Sequence, residues 1–437
     1  MLLSMAGFGL IIVFMALIMT KRLSPMLSLM LVPIVFAIGL GFSPEAIGKM
    51  SLDGVKKVAP TGIMLFFAII YFTLLLEAGM FNPIIRRLLA WVKGDPVKIC
   101  IGTAVLATLI SFDGDGSTTY LICTSALLLA HRKVGIRPVI LPSIVLLQNS
   151  VMNIIPWGGP TARVLASLNL DLVEVFNPMI PGMVLGTLFV WFMAYYWGMK
   201  ERARIGTVKM TEELNPEDIE IEVGENKDAL RLDPKYVWFN FALTITLMTM
   251  LIMEVMPSSI LFMLGTGIAL MVNYPKMKDQ SERISAVGSN AVPVVGMIFA
   301  AGVLTGVMQG TKMIDQMAIS IIGMIPESLG PHLAVLSALL SLPGTFFLTN
   351  DAYYFGVLPV LNQAAATYGI DPASMGIAAL IGQGAHLLSP LVPSTYLLVG
   401  INKIEFSDLQ KFAILPAIGV SLIWLATNLA LGNIHWG

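Results

Sequence analysis

The stretch Ser111-Phe112-Asp113-Gly114-Asp115-Gly116-Ser117-Thr118-Thr119-Tyr120 separates two apolar runs that carry no charge, Ile99 to Ile110 and Tyr120 to Ala130. In hydrocarbon, carboxylates and unwound backbone persist only where protein or a wet cavity satisfies them. The stretch therefore predicts a hairpin tip lining a binding cavity inside a membrane protein. Composition agrees: 56% of the residues are hydrophobic and 12% are charged, against about 25% charged in soluble domains.

The chain is expected to be an all-α polytopic membrane protein. A span needs about 20 mostly apolar residues. Candidate spans cover about 2–20, 24–43, 58–80, 139–155, 176–197, 236–256, 258–273, 286–308, 375–392 and 409–431. Polar centres interrupt two further apolar regions, 97–131 and 328–364, which predicts re-entrant hairpins. Residues 139–170 and 375–400 predict broken helices. The apolar N-terminus, without a basic region ahead of Lys21, predicts a retained first span rather than a signal peptide.

Residues 198–235 form the long polar segment and predict a cytoplasmic linker between a first repeat, 1–197, and a second, 236–437. One common offset places Asp113 on Asn350, Asn149 on His386 and Pro156 on Pro393. The order of interruptions, more than identity, points to duplication. Lys21-Arg22, Arg86-Arg87, Lys93, Lys98, His131 to Lys133, Arg137, Lys200 to Arg204, Lys276, Lys278, Arg283, Lys403 and Lys411 share one side if both termini lie outside. Lys49, Lys56, Lys57 and Lys312 stand against that pattern, which otherwise follows the positive-inside rule. The first repeat then starts outward and the second inward, so the repeats are inverted in topology.

Asp113 and Asp115 either bind a cation, a metal-bearing substrate or a proton at the tip, or cap helix ends or sit in an aqueous loop. Ser117, Thr118 and Thr119 open a helix whose free N–H groups suit an anion, with Gly114 and Gly116 letting backbone approach; their bland role is capping. Asn149, Asn153, Gly158, Gly159, Thr161 and Arg163 surround the first break, written Pro156-Trp157-Gly158-Gly159-Pro160-Thr161-Ala162-Arg163. Arg163 either forks onto a carboxylate, snorkels to the surface or pairs with an Asp. Thr349, Asn350 and Asp351 make the second tip. Gln383, His386, Ser389, Ser394 and Thr395 line the second break. His386 is expected either as a packed, hydrogen-bonded residue or as a proton carrier. Asp113, Asp351 and His386 are the candidates for proton coupling; Asp113, Asp115 and Asp351 are the candidates for metal. Glu77 and Glu254 are expected at the interface, and Cys100 and Cys123 as packing residues rather than a disulfide.

No nucleophile–base pair, CxxC or HExxH appears, so an enzyme is not expected. The net charge of −1 identifies no partner, and no nucleic-acid partner is expected. A cation antiporter needs acids without a carboxylate site, and a channel would make unusual use of broken helices.

Phe14 to Arg22, Lys93-Gly94-Asp95-Pro96, Asp113 to Tyr120 and Pro156 to Arg163 resemble the citrate–divalent-metal:proton symporters, the CitMHS family. The similarity covers essentially the whole chain, and the two longer motifs are specific. The resemblance implies proton-driven import of citrate complexed with Mg²⁺ or Ca²⁺, with no permanently bound cofactor. It implies a homodimer of elevator type in a bacterial cytoplasmic membrane, with a scaffold of early spans and a moving body of hairpins and broken helices. Sodium-coupled di- and tricarboxylate relatives carry Ser-Asn-Thr at their tips. Here the tips read Asp-Gly-Asp-Gly-Ser-Thr-Thr and Thr-Asn-Asp, which favours protons over sodium.

Overall fold

The computed structural model describes residues 2–92, 94–114, 116–206, 236–323, 326–434 and 436. The side chains of Met19, Ile85, Arg86, Leu89, Asp113, Ser289, Asn290 and Glu327 lie outside that description. Among the described residues the chain is helical throughout, with no strand. Before the polar segment come α1 (Leu2–Met19), α2 (Pro25–Gly39), α3 (Pro44–Glu77), α4 (Asn82–Val92), α5 (Pro96–Ile110), α6 (Gly116–Val134), α7 (Ile140–Met152), α8 (Gly159–Leu168) and α9 (Leu172–Ile205). After it come α10 (Val237–Ile252), α11 (Ser258–Asn273), α12 (Met277–Gly310), α13 (Met313–Ile322), α14 (Leu333–Phe347), α15 (Leu358–Ala366), α16 (Pro372–Leu380), α17 (Gln383–His386), α18 (Pro393–Asn402) and α19 (Phe406–Ala430).

Several helices are longer than their apolar runs. Helix α3 starts at Pro44 rather than 58, because Ser43 caps it by accepting from the Ala46 amide at 3.2 Å and Pro44 occupies the first turn. Its charged first half is helical but outside an apolar count. Helix α12 likewise takes in Lys278, Asp279, Glu282 and Arg283 ahead of its apolar part. Helix α9 runs past 197 to Ile205, where a polar linker was expected. Its charges there are paired: Arg202 with Asp95, and Glu201 with both Arg204 and Arg137, the last at 2.6 Å. Residues 207–235 of the expected linker lie outside the described residues. Helices α4 and α13 are short and amphipathic, and the span count did not foresee them.

Helices α3 and α12 are each 34 residues long, about 51 Å at 1.5 Å per residue. Each carries one internal proline at the same distance from its start, Pro60 and Pro293. They pack along one another where Gly54 meets Gly302 and Gly306. A methyl group on Gly54 would collide with the Gly302 carbonyl and the Gly306 backbone, so small residues set the closeness of this crossing. Helices α2 and α11 complete this layer. Helix α5 packs on α6, α7 and α9, while α9 packs on α19 and α14 on α16 and α17. This arrangement holds the hairpin tips and the breaks against one another.

Candidate functional site

The first tip is a single 3-10 turn, Ser111–Asp113, closed by Gly114 at φ 79°. Only glycine takes that conformation without strain. The Phe112 carbonyl accepts from Trp157 Nε1 at 2.8 Å, and the Trp157 ring stacks on Phe72 of α3 with centroids 4.3 Å apart. The break after α7 therefore clamps the tip and leans it on α3. Gly116 opens α6 so close to Asn149 that an added methyl group would stand 3.0 Å from Asn149 Nδ2 and 3.4 Å from Ser394 Oγ. Ser394 lies in the first turn of α18. Tip one thus meets a half-helix from the other part of the chain. Ser117 and Thr118 stand half-buried in the first turn of α6. Buried Thr119 donates to Ser111 Oγ at 3.4 Å. Asp115 lies outside the described residues, and of Asp113 only the backbone is described.

The second tip makes the converse exchange. Arg163, in α8, donates from Nε to Asp351 Oδ1 at 2.7 Å and from Nη1 to the Gly159 carbonyl at 2.9 Å. Its side chain is 16% exposed and that of Asp351 10%. A third strand of contacts ties both breaks to this tip. Asn153 Nδ2 donates to Gln383 Oε1 at 3.4 Å, and Gln383 Nε2 donates to Asn350 Oδ1 at 2.9 Å and Tyr354 Oη at 2.8 Å. Gln383 is fully buried. The Thr349 hydroxyl accepts from the Ala352 amide at 3.2 Å and starts the π-helical turn Ala352–Val357.

Other expected residues bond to backbone. Thr161 donates to the Ile154 carbonyl at 2.8 Å, and Thr395 to the Leu387 carbonyl at 2.6 Å. Each fastens a half-helix to the strand of chain before it. Ser389 donates to the Phe346 carbonyl, and His386 Nδ1 lies 2.6 Å from the Thr345 carbonyl. Gly158 precedes α8, where a methyl group would overlap the Asn153 carbonyl. Pro393 opens α18 as Pro160 stands in the first turn of α8, so the register at the breaks differs from the offset that pairs Pro156 with Pro393. Aligning the two helix starts, Gly159 of α8 with Pro393 of α18, sets Asn149 against Gln383 rather than His386. His386 is also not alone among buried histidines: His131, counted among the basic residues of one membrane side, is 2% exposed, its Nε2 3.0 Å from Thr103 Oγ1. Tyr354, the Trp157 clamp and Met297, whose Sδ accepts from Arg163 Nη2 at 3.5 Å, were not expected at the site. The paired aromatics Tyr353-Tyr354 directly after the tip were the available signal.

Among the described residues, five helical stretches are long and apolar enough to cross a membrane. Buried charge and hydrogen-bonded amides gather where the hairpin tips and the helix breaks meet. This is the construction of a multi-pass membrane transporter. Residues 14–382 match the CitMHS family, described as citrate transporter. The chain belongs to that family. It is 50% identical over 436 residues to a citrate transporter of Bacillus subtilis (strain 168), covering all of both chains. It is 45% identical over 433 residues to the Mg(2+)/citrate complex secondary transporter of the same organism, covering 99% of each. A crystal structure of the YdaH transporter of Alcanivorax borkumensis shares the fold, with a TM-score of 0.53 at 11% identity over 87% of each chain. These are transport proteins, and the family is not one of enzymes.

Proposed function

We propose that the chain is a secondary active symporter that imports citrate as its complex with a divalent cation, driven by protons. The Arg163–Asp351 pair carries this proposal. The guanidinium is the cation that a citrate carboxylate would seek, and Asp351 already occupies it. A proton on Asp351 removes its charge and frees Arg163 for the substrate. Proton and anion then bind with positive coupling, and by linkage each strengthens the other equally.

One divalent cation lowers citrate from a trianion to a monoanion, which suits a site with a single cation better than a bare trianion. The carboxylates of the first tip and the amide oxygen of Asn350 at the second are hard ligands of the kind that Mg²⁺ or Ca²⁺ prefers. We assign substrate contact to Asn149, Ser394 and the backbone around Gly114 and Gly116, and to Asn153, Asn350 and Gln383. Metal contact falls to Asp113 and Asp115, while Asp351 carries the proton. Thr161, Thr395 and Ser389 hold the half-helices in place. The relative named for the Mg²⁺/citrate complex supports the substrate. The matched element order, with Pro60 and Pro293 equivalent, supports two repeats of inverted topology, and the layer of α2, α3, α11 and α12 supports an elevator in which hairpins and breaks move against it. We place the protein in the bacterial cytoplasmic membrane with both termini outside, as a homodimer.

The test is uptake of labelled citrate into proteoliposomes under an inward proton gradient, with Mg²⁺ and Ca²⁺ titrated against a chelator. Uptake that needs both metal and gradient supports the symporter. Uptake indifferent to metal overturns it.

A further inference from the structure

A cavity of about 280 Å³ opens between the end of α8, the end of α12, α13 and α15. Ser167, Gln309, Lys312, Asp315 and Asn362 line it. Helix α9 fixes which end of the molecule this is. It starts four residues after α8 ends and runs 34 residues to the polar segment, so the cavity lies at the end away from that segment. Ser167 stands one helical turn beyond Arg163 on α8, about 6 Å along the axis. On the other wall, Pro359 continues the run that begins at Asp351. The cavity therefore sits directly above the Arg163–Asp351 pair.

Two observations mark it as more than a surface dent. Asn362 Oδ1 is buried and has no hydrogen-bond partner, a costly arrangement unless a ligand or water supplies one. With both termini outside, as proposed above, lysines also converge on it on the side where the charge rule disfavours them. Lys312 lies at the rim 3.5 Å from Asp315, and Lys57 Nζ donates to Gln309 Oε1 at 3.0 Å. Both are among the few basic residues that break the positive-inside pattern. A loop placed there only for topology would avoid lysine.

We infer that this cavity is an outer loading site for a metal-bound polycarboxylate, an inference that rests on the transport function proposed above. Lys312 and Lys57 receive free carboxylates at the rim. Asp315 and Asn362 Oδ1 present hard oxygens to the metal. A rim with one sign of charge would reject half of such a complex; the adjoining Lys312 and Asp315 meet both halves. The complex then descends one turn to Arg163.

Right-side-out membrane vesicles and labelled citrate with Mg²⁺ test this. Lys312→Gln is expected to raise KM about tenfold, with the loss falling on KM more than on Vmax. Asp315→Asn is expected to raise the Mg²⁺ concentration that gives half-maximal uptake. An unchanged KM in Lys312→Gln overturns the loading site while leaving the symporter intact. Wild-type vesicles without metal-dependent citrate uptake would instead sink the transport function, and the site is then read separately. Gln363, which lines the cavity, is replaced by Cys and labelled with a membrane-impermeant maleimide. Magnesium citrate that slows labelling, where sodium chloride of equal ionic strength does not, supports the site. Labelling indifferent to magnesium citrate overturns it.

Discussion

Arg163 and Asp351 are 188 residues apart in sequence and 2.7 Å apart in space, one on a half-helix of the first part of the chain and the other at the hairpin tip of the second. Removing one partner leaves the other charge buried and uncompensated. Arg163→Ala is expected to lower stability by about 3–5 kcal/mol. Asp351→Asn keeps a hydrogen-bonding oxygen for Arg163 and should cost less. The double variant should be more stable than Arg163→Ala alone. Thermal unfolding of the three purified variants in detergent forms the cycle, and simple additivity would show that the pair does not interact.

The coupling assigned to this pair has its own signature. With Asp351→Asn the carboxyl can no longer take up a proton, so citrate uptake should lose its dependence on the proton gradient. Uptake of magnesium citrate at one fixed outside pH, with and without an inward proton gradient, compares variant with wild type. A dependence retained in full would place the coupling proton elsewhere, with His386 and Asp113 next in line.

Trp157 separates a hydrogen bond from a stacking contact. Trp157→Phe removes the donor to the Phe112 carbonyl but keeps a ring against Phe72. It should cost about 1 kcal/mol. Trp157→Ala loses the ring as well and should cost about 3–5 kcal/mol. If the two variants melt together, the ring is not what holds the first tip.

The α3–α12 crossing makes a steric prediction. Gly306→Leu places a side chain into the backbone of Met50 and Gly54, whereas Gly39→Leu meets nothing within 4 Å. Overpacking of this kind costs about 1–3 kcal/mol or more where backbone cannot move. Gly306→Leu should therefore lose monodisperse protein on size-exclusion chromatography and Gly39→Leu should not. Equal yields would mean that the helices can separate freely.

What the sequence announced and what it hid follow from physical range. Gly114, Pro160 and Pro393 are local: each dictates its own backbone, so the tip and both breaks are visible as interruptions of apolar runs. The Arg163–Asp351 pairing is not local, and three fates for Arg163 were equally compatible with its neighbours. Helices α4 and α13 escaped because ten or eleven amphipathic residues never make a span. The end of α9 was misread because Glu201, Arg202 and Arg204 look like solvent-facing charge until Arg137 and Asp95 are brought to them. His131 was misjudged in the same way, as its partner Thr103 lies across the hairpin.

The exchange of tips between the two parts of the chain also bears on how the protein is made. At about 5–20 residues per second, the ribosome reaches Asp351 roughly 10–40 s after Arg163 has been synthesised. For that interval the buried guanidinium lacks the carboxylate it pairs with in the folded chain. The first part of the chain therefore cannot settle into its final form during its own synthesis, and Arg163 must wait at the interface or in the insertion machinery. Co-expressed fragments split within 207–235 should accumulate only when both are present, because each supplies the charge that the other lacks.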